Sequence, residues 1–210
     1  LLPAYLQQLS LESNGKRVTR DGTPVEGRTV PALWGGIGTD GQHAFFQWLH
    51  QGTDVVPVEF IVPAVPVRGD PTRHALLVAN ALAQAQALAL GRSPEAVAAE
   101  LAKRGLAASA TAVAVRVCPG DRPSTTIVTP RLDARTLGAL LALYEHRTFV
   151  EGILWGINTF DQFGVELGKI LADPIVAALV DGSELAPGTD ASTHALVAHV
   201  RALMRHEPGS

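Results

Sequence analysis

Three clusters in this sequence hold side chains that could move protons or hold an anion. Glu12-Ser13-Asn14-Gly15-Lys16 sets a lone carboxylate among residues that turn a chain, because Ser and Asn bond nearby backbone groups and Gly admits positive φ. A carboxylate on such a turn can point into a cleft and act as a general base. The same five residues also read as a helix end with a solvated glutamate. Gly38-Thr39-Asp40-Gly41-Gln42-His43 joins free main-chain N–H groups to an imidazole, a combination suited to an anionic ligand at a helix start. A structural glycine turn with an incidental histidine stays open here. Phe160-Asp161-Gln162-Phe163-Gly164-Val165-Glu166-Leu167-Gly168-Lys169 is polar and glycine-bearing where a plain amphipathic helix would show one apolar face. Lys169 also reads as a surface partner of Glu166 at i,i+3.

The elements that must position these groups follow from hydrophobic spacing and breakers. Leu1, Leu2, Leu6 and Leu9 form a short apolar helical run ending in the Glu12 turn. Residues 16–29, with Asp21-Gly22 and Pro24, predict a hairpin-like excursion. Residues 30–34 read as a short buried strand, followed by the glycine turn, a helix through Phe45, Phe46, Trp48 and Leu49 that stops at Gly52, and a Val- and Ile-rich strand over 55–65. That order predicts one βαβ unit, with the glycine turn at a strand's carboxyl end, where open α/β sheets bind ligands.

A helix is expected over 71–91. Ser93-Pro94 starts another, running to Lys103, as N-cap and first helical residue. Residues 106–112 carry no clear signal, and 125–129 read as a strand entered by the turn Pro119-Gly120-Asp121-Arg122-Pro123. Asp133 opens a long helix to Ile157, within which Tyr144-Glu145-His146 reads as a buried polar cluster. A second helix spans 160–171 and a last one 192–205, with a frayed tail from His206. The fold class expected is α/β, a mostly parallel sheet flanked by helices with additional C-terminal helices. The expected division is an α/β domain over 1–131 and a helical region over 132–210.

Composition narrows the function. The 210 residues are 47% hydrophobic and 18% charged, which suits a packed globular chain. A net charge of −3, with Arg and Lys scattered, offers no basic field for nucleic acid or an anionic membrane. Cys118 is the single cysteine, so no intrachain disulfide forms and a reducing cytoplasm fits. The seven histidines include no HExxH or close His/Asp/Glu cluster, so no metal is expected. No apolar run reaches the ~18 residues that span a bilayer, and no signal peptide is legible at the start. The chain opens on Leu inside an apolar helical pattern, with no initiator Met, which predicts a piece of a longer protein.

Five blocks stand in the order found in the glucose-6-phosphate isomerase family. They are Glu12-Ser13-Asn14-Gly15-Lys16, Gly38-Thr39-Asp40-Gly41-Gln42-His43-Ala44-Phe45, Gly120-Asp121-Arg122-Pro123-Ser124, Tyr144-Glu145-His146, and Asn158-Thr159 continuing through Lys169. The chain resembles the C-terminal half of that family over essentially all its length. The resemblance implies a second sugar-isomerase-type (SIS) domain over 1–131 with the C-terminal helices over 132–210 packed on it, the N-terminal domain being absent. It implies reversible isomerisation of glucose 6-phosphate and fructose 6-phosphate through a cis-enediolate, in glycolysis and gluconeogenesis, with no cofactor.

By match, Glu12 is the base that carries the proton between C2 and C1, and His43 helps open the sugar ring from across a homodimer interface. Lys169 matches the lysine at the ring-oxygen end and Gln8 a glutamine that contacts substrate, while Gly38 and Thr39 line the substrate site. Gly36-Ile37 replaces a Glu-Pro of many relatives, and Gly156, Asp40 and Phe163 replace Asp, Asn and Trp. The family's phosphate-binding Ser/Thr loop and its enediolate-stabilising arginine belong to the N-terminal half and have no match here. The resemblance therefore implies that this piece alone is inactive and exposes apolar surface. The other reading is a non-catalytic sugar-phosphate-binding domain of the kind found in regulators, which needs contacts for the sugar but no base at C2.

Overall fold

The computed structural model describes residues 1–206. Its chain begins with α1 (Leu2–Gln7), which has Pro3 in its first turn, where a missing N–H costs nothing. The helix widens into a π-turn over Gln8–Glu12 and ends at Asn14. Glu12 thus lies on a helix and not in the loop its neighbours suggested. The Ser and Asn expected to break structure are buried inside it, and the turn comes at Gly15.

The excursion over 16–29 forms: Val18 bridges Pro24 in antiparallel fashion around Gly22, whose φ is +79°. Residues 30–34 make no strand. Pro31 lacks an N–H to donate; Val30 and Leu33 are half-buried, and Leu33 packs against the Leu6 cluster. The expected single helix after the glycine turn is two, α2 (Gly38–Ala44) and α3 (Phe46–Gln51), parted at Phe45, where φ is −137°.

The βαβ unit exists further along than expected. Strand β1 (Val58–Val65) leads through α4 (Pro71–Leu90), α5 (Pro94–Lys103) and α6 (Ala110–Ala114) to β2 (Ser124–Arg131). The two strands pair in parallel, with Val58 opposite Ser124 and Val65 opposite Arg131. The caps behave as their residue types require. Asp70, Ser93 and Ser109 each accept a main-chain N–H at the start of α4, α5 and α6, so the unassigned alanine-rich stretch does hold one short helix.

Two apolar clusters hold the sheet. Leu6 of α1 packs with Leu140 and Tyr144 against Ile61 and Ile127, and Phe46, Leu49 and Leu88 pack against Val58 and Phe60. Helix α7 (Ala134–Leu154) supplies Leu140 and Tyr144 and stops three residues short of the expected end, at the turn Trp155-Gly156. Helix α8 (Phe163–Val180) starts three residues later than expected and passes through Pro174. Its Leu167, Ile170, Leu171 and Val180 are all exposed. Helix α9 (Ala191–His206) completes the fold, and the rest of the tail expected from His206 lies outside the described residues.

Asp133 caps α7 by accepting the Thr136 N–H at 2.9 Å. That main-chain bond, aided by the Thr136 hydroxyl, holds its carboxyl below the usual carboxylate range. A lowered folded-state pKa contributes stability that is present above the unfolded value, pH ~4, and is lost as pH falls through the folded one. Asp133→Asn keeps an acceptor without the charge. It should lower the melting temperature slightly at neutral pH and flatten its fall with acid, so that the two proteins converge at low pH.

Candidate functional site

The site is built where the first helix ends against the segment joining α7 to α8. Asn14, with no exposed surface, donates through Nδ2 to the Thr148 carbonyl at 2.9 Å, tying the helix end to α7. Beside it Gly152 accommodates the Thr159 side chain: a Cβ at position 152 would stand 1.6 Å from Thr159 Oγ1. A glycine is therefore required there by close approach.

Lys16 folds back over the helix end. Its Nζ donates to the carbonyls of Glu12 at 2.7 Å, Ser13 at 2.9 Å and Asp161 at 2.7 Å. It also stands 3.3 Å from Asp161 Oδ1, an ion pair whose angle leaves that oxygen without a hydrogen bond. Next to Asp161, Phe160 adopts φ +74°, a left-handed conformation costly for a bulky residue.

Glu12 is half-buried, and its Oε2 faces Gln8 Nε2 at 3.4 Å, the long end of a hydrogen bond. The π-turn that carries both is a rare local structure, frequent at functional sites. The sequence-predicted pair Gln8 and Glu12 is thus brought together, one helical turn apart.

Gly38, Thr39 and His43 lie on α2 and are all exposed, as is Lys169 on α8. No side chain caps the start of α2. The glycine segment ahead of it runs past α1, since a Cβ at Gly35 would meet Pro3 Cβ at 3.5 Å. Among the described residues no hydrogen bond or ion pair joins His43 or Lys169 to Glu12, and Lys169 forms no ion pair with Glu166. Among them, too, no group of three His, Cys, Asp or Glu side chains could hold a metal ion, and no helix is long and apolar enough to cross a membrane.

The expected Tyr144-Glu145-His146 cluster resolves into separate links. The buried Tyr144 hydroxyl donates to Glu59 on β1, whose other oxygen lies 3.5 Å from Arg147. Burial, ahead of the Glu59 bond, pushes the Tyr144 phenol upward. Glu145 accepts from the Tyr5 hydroxyl at 2.9 Å, and His146 is exposed. These links fasten α7 to the sheet and to α1, and none touches the Glu12 carboxylate.

Sequence reasoning missed Lys16, Asp161, Asn14 and Gly152 as site-building residues. A lysine just beyond a helix end was a usable signal, since such side chains bond the last carbonyls. The Asn14–Thr148 and Lys16–Asp161 pairs had none, being set by tertiary contact alone.

With this geometry in place, the likeness to known proteins is informative. A family model described as phosphoglucose isomerase matches residues 1–197. The chain belongs to the phosphoglucose isomerase family. It is 54% identical over 202 residues to a glucose-6-phosphate isomerase of Methylocella silvestris, covering 95% of this chain and 37% of that protein. It is 55% identical over 207 residues to one of Brucella melitensis, covering 96% and 37%. The chain therefore spans about 37% of the length of these curated relatives.

A crystal structure of a glucose-6-phosphate isomerase from Chlamydia trachomatis superposes with a TM-score of 0.72 at 37% identity, over 96% of this chain and 35% of that one. A hypothetical protein from Thermus thermophilus superposes with a TM-score of 0.54 at 27% identity, over 84% of this chain and 38% of that one. The α/β architecture of this chain is thus shared with a solved glucose-6-phosphate isomerase.

Proposed function

We propose that this chain is the catalytic-base portion of a glucose-6-phosphate isomerase. In this reading the Glu12 carboxylate takes the C2 proton of the open-chain aldose. The electrons pass into a cis-enediolate, and the same carboxylate returns the proton at C1 to give the ketose. The observation that carries the reading is Glu12 itself, held half-buried on a π-turn whose ends are tied down by Asn14 and Lys16. A base must be held close to its proton to be effective, and a tethered turn supplies that.

His43 serves ring opening and Lys169 stands at the same ring-oxygen end of the sugar, and Gln8, Gly38 and Thr39 contact substrate. Their exposure here is consistent with partners the chain itself does not supply: the remaining portion of the relatives' length, and a second subunit in a homodimer that brings His43 across. Residues 1–131 are read as the second sugar-isomerase-type domain, with 132–210 packed on it, supported by the shared cluster of Leu6, Leu140 and Tyr144. The cytoplasm suits a chain with one free cysteine.

The test uses the full-length polypeptide that carries this chain, given fructose 6-phosphate in heavy water and followed by proton NMR. Isomerisation through an enediolate should place solvent deuterium at C2 of the glucose 6-phosphate formed. A sugar-phosphate-binding domain would give neither product nor exchange, and that result would displace the isomerase reading. The 210-residue chain alone, purified free of host isomerase, should show no turnover.

A further inference from the structure

We propose that Lys16 is a positioning residue for this proton transfer. Its ammonium gathers the carbonyls of Glu12, Ser13 and Asp161, and so locks the turn carrying the base to the segment that launches the helix carrying Lys169. The proposal rests on the isomerase reading of Glu12.

An ammonium has three N–H donors, and here each has a main-chain carbonyl within 2.9 Å. The side chain is only 16% exposed, so this is no solvated surface lysine. Two of the acceptors are carbonyls at a helix end, which have no partner inside the helix. One of them belongs to Glu12, so the main chain of the base is itself held. The third acceptor lies 145 residues away along the chain.

That distant segment is strained. Phe160 sits at φ +74° immediately before Asp161, and its ring is exposed, so apolar burial does not compensate the conformation. Such conformations persist where the surroundings over-determine them, and they cluster at functional sites. The Lys16 bond to the Asp161 carbonyl is the restraint nearest to it. From Asp161 the chain enters α8 within two residues and reaches Lys169 two turns later. Lys16 therefore fixes the spacing between the base and the element bearing the group assigned to the ring-oxygen end. An arginine would not replace it, because a planar fork cannot converge on three carbonyls as a point charge with three rotatable donors does.

The experiment compares kcat and KM of the full-length enzyme with those of Lys16→Met, Lys16→Arg and Glu12→Gln, each normalised to folded protein below its melting temperature. Misplacing a catalytic group by about 1 Å costs roughly 10²-fold, so Lys16→Met should lose about that much in kcat. Its KM should move less than ~3-fold, the pattern of an interaction realised in the transition state. Lys16→Arg, which keeps the charge and guards against a Lys16→Met that fails to fold, should still lose about tenfold in kcat.

If Lys16→Met and Lys16→Arg lower only the melting temperature and keep wild-type kcat, Lys16 is a structural residue and the proposal fails. An inactive wild type, or a Glu12→Gln variant as active as wild type, would instead overturn the isomerase reading beneath it. An active wild type with a dead Glu12→Gln and unchanged Lys16 variants overturns the Lys16 assignment alone.

Discussion

Glu12→Gln in the full-length enzyme should lower kcat by about 10³–10⁴-fold, near the upper end of what a positioned general base contributes. The change is close to isosteric. The Gln amide oxygen can still accept from Gln8, which now faces the carboxylate at 3.4 Å. Among the described residues no other bond depends on the carboxylate, since Lys16 binds the Glu12 carbonyl and not its side chain. The melting temperature should therefore stay within a degree or two of wild type, and KM should change little. Steady-state isomerisation assays beside thermal melts separate the two effects. A loss below about tenfold in a folded variant would place the base elsewhere, and the sugar-phosphate-binding reading would then lead for this part of the chain.

The second large effect should fall on stability. Arg122 is 7% exposed, yet among the described residues it pairs with no carboxylate. Instead it donates through one terminal nitrogen to the Asp54 carbonyl and through the other to the Gly52 carbonyl, both at 2.7 Å. Its own main-chain N–H reaches the Leu88 carbonyl at 3.0 Å, and Pro123 next to it accepts from Val58 at 3.0 Å. One side chain thus joins the end of α3, the approach to β1 and the entry to β2, beside the closely packed turn at Gly91 and Gly120. Arg122→Met keeps the apolar stem but takes the donor from the carbonyls of half-buried Gly52 and exposed Asp54. Leaving a buried acceptor without its partner costs about 1–3 kcal/mol, and the urea midpoint of the full-length enzyme should fall accordingly. An unchanged midpoint would mean that water enters and satisfies both carbonyls.

What the sequence made legible were the parts governed by local chemistry. Ser93-Pro94, Asp133 and the Gly120-Asp121 turn carry their own instructions in side-chain oxygens and permitted φ, and each lies where expected. The helix over 71–91 was readable for the same reason. Residues 30–34 failed because a short apolar run cannot declare whether it pairs with a neighbour, and Pro31 removed one of the donors that pairing needs. The start of α8 was misplaced by three residues because Lys16 holds Asp161 in place, a contact no window of local sequence can show.

The site divided in the same way. Glu12 is proposed from its residue type and its motif, while the π-turn that carries it and the lysine bound to its carbonyl are visible only in three dimensions. His43 and Lys169 are proposed from likeness alone, since both are exposed and among the described residues neither is joined to Glu12.

The bond from Asn14 to Thr148 spans 134 residues, and it has a kinetic consequence. Contacts so distant in sequence form only after most of a chain's loop-closure entropy has been spent, so they come late in folding. The base and its anchors should then be assembled in one of the last steps, after the parallel strands have paired across their own long crossover. A partly folded molecule would carry Glu12 on a frayed helix end with no fixed aim. If Glu12 is the base proposed above, proton-abstracting competence is confined to the fully closed state, and a chain caught halfway would be inert.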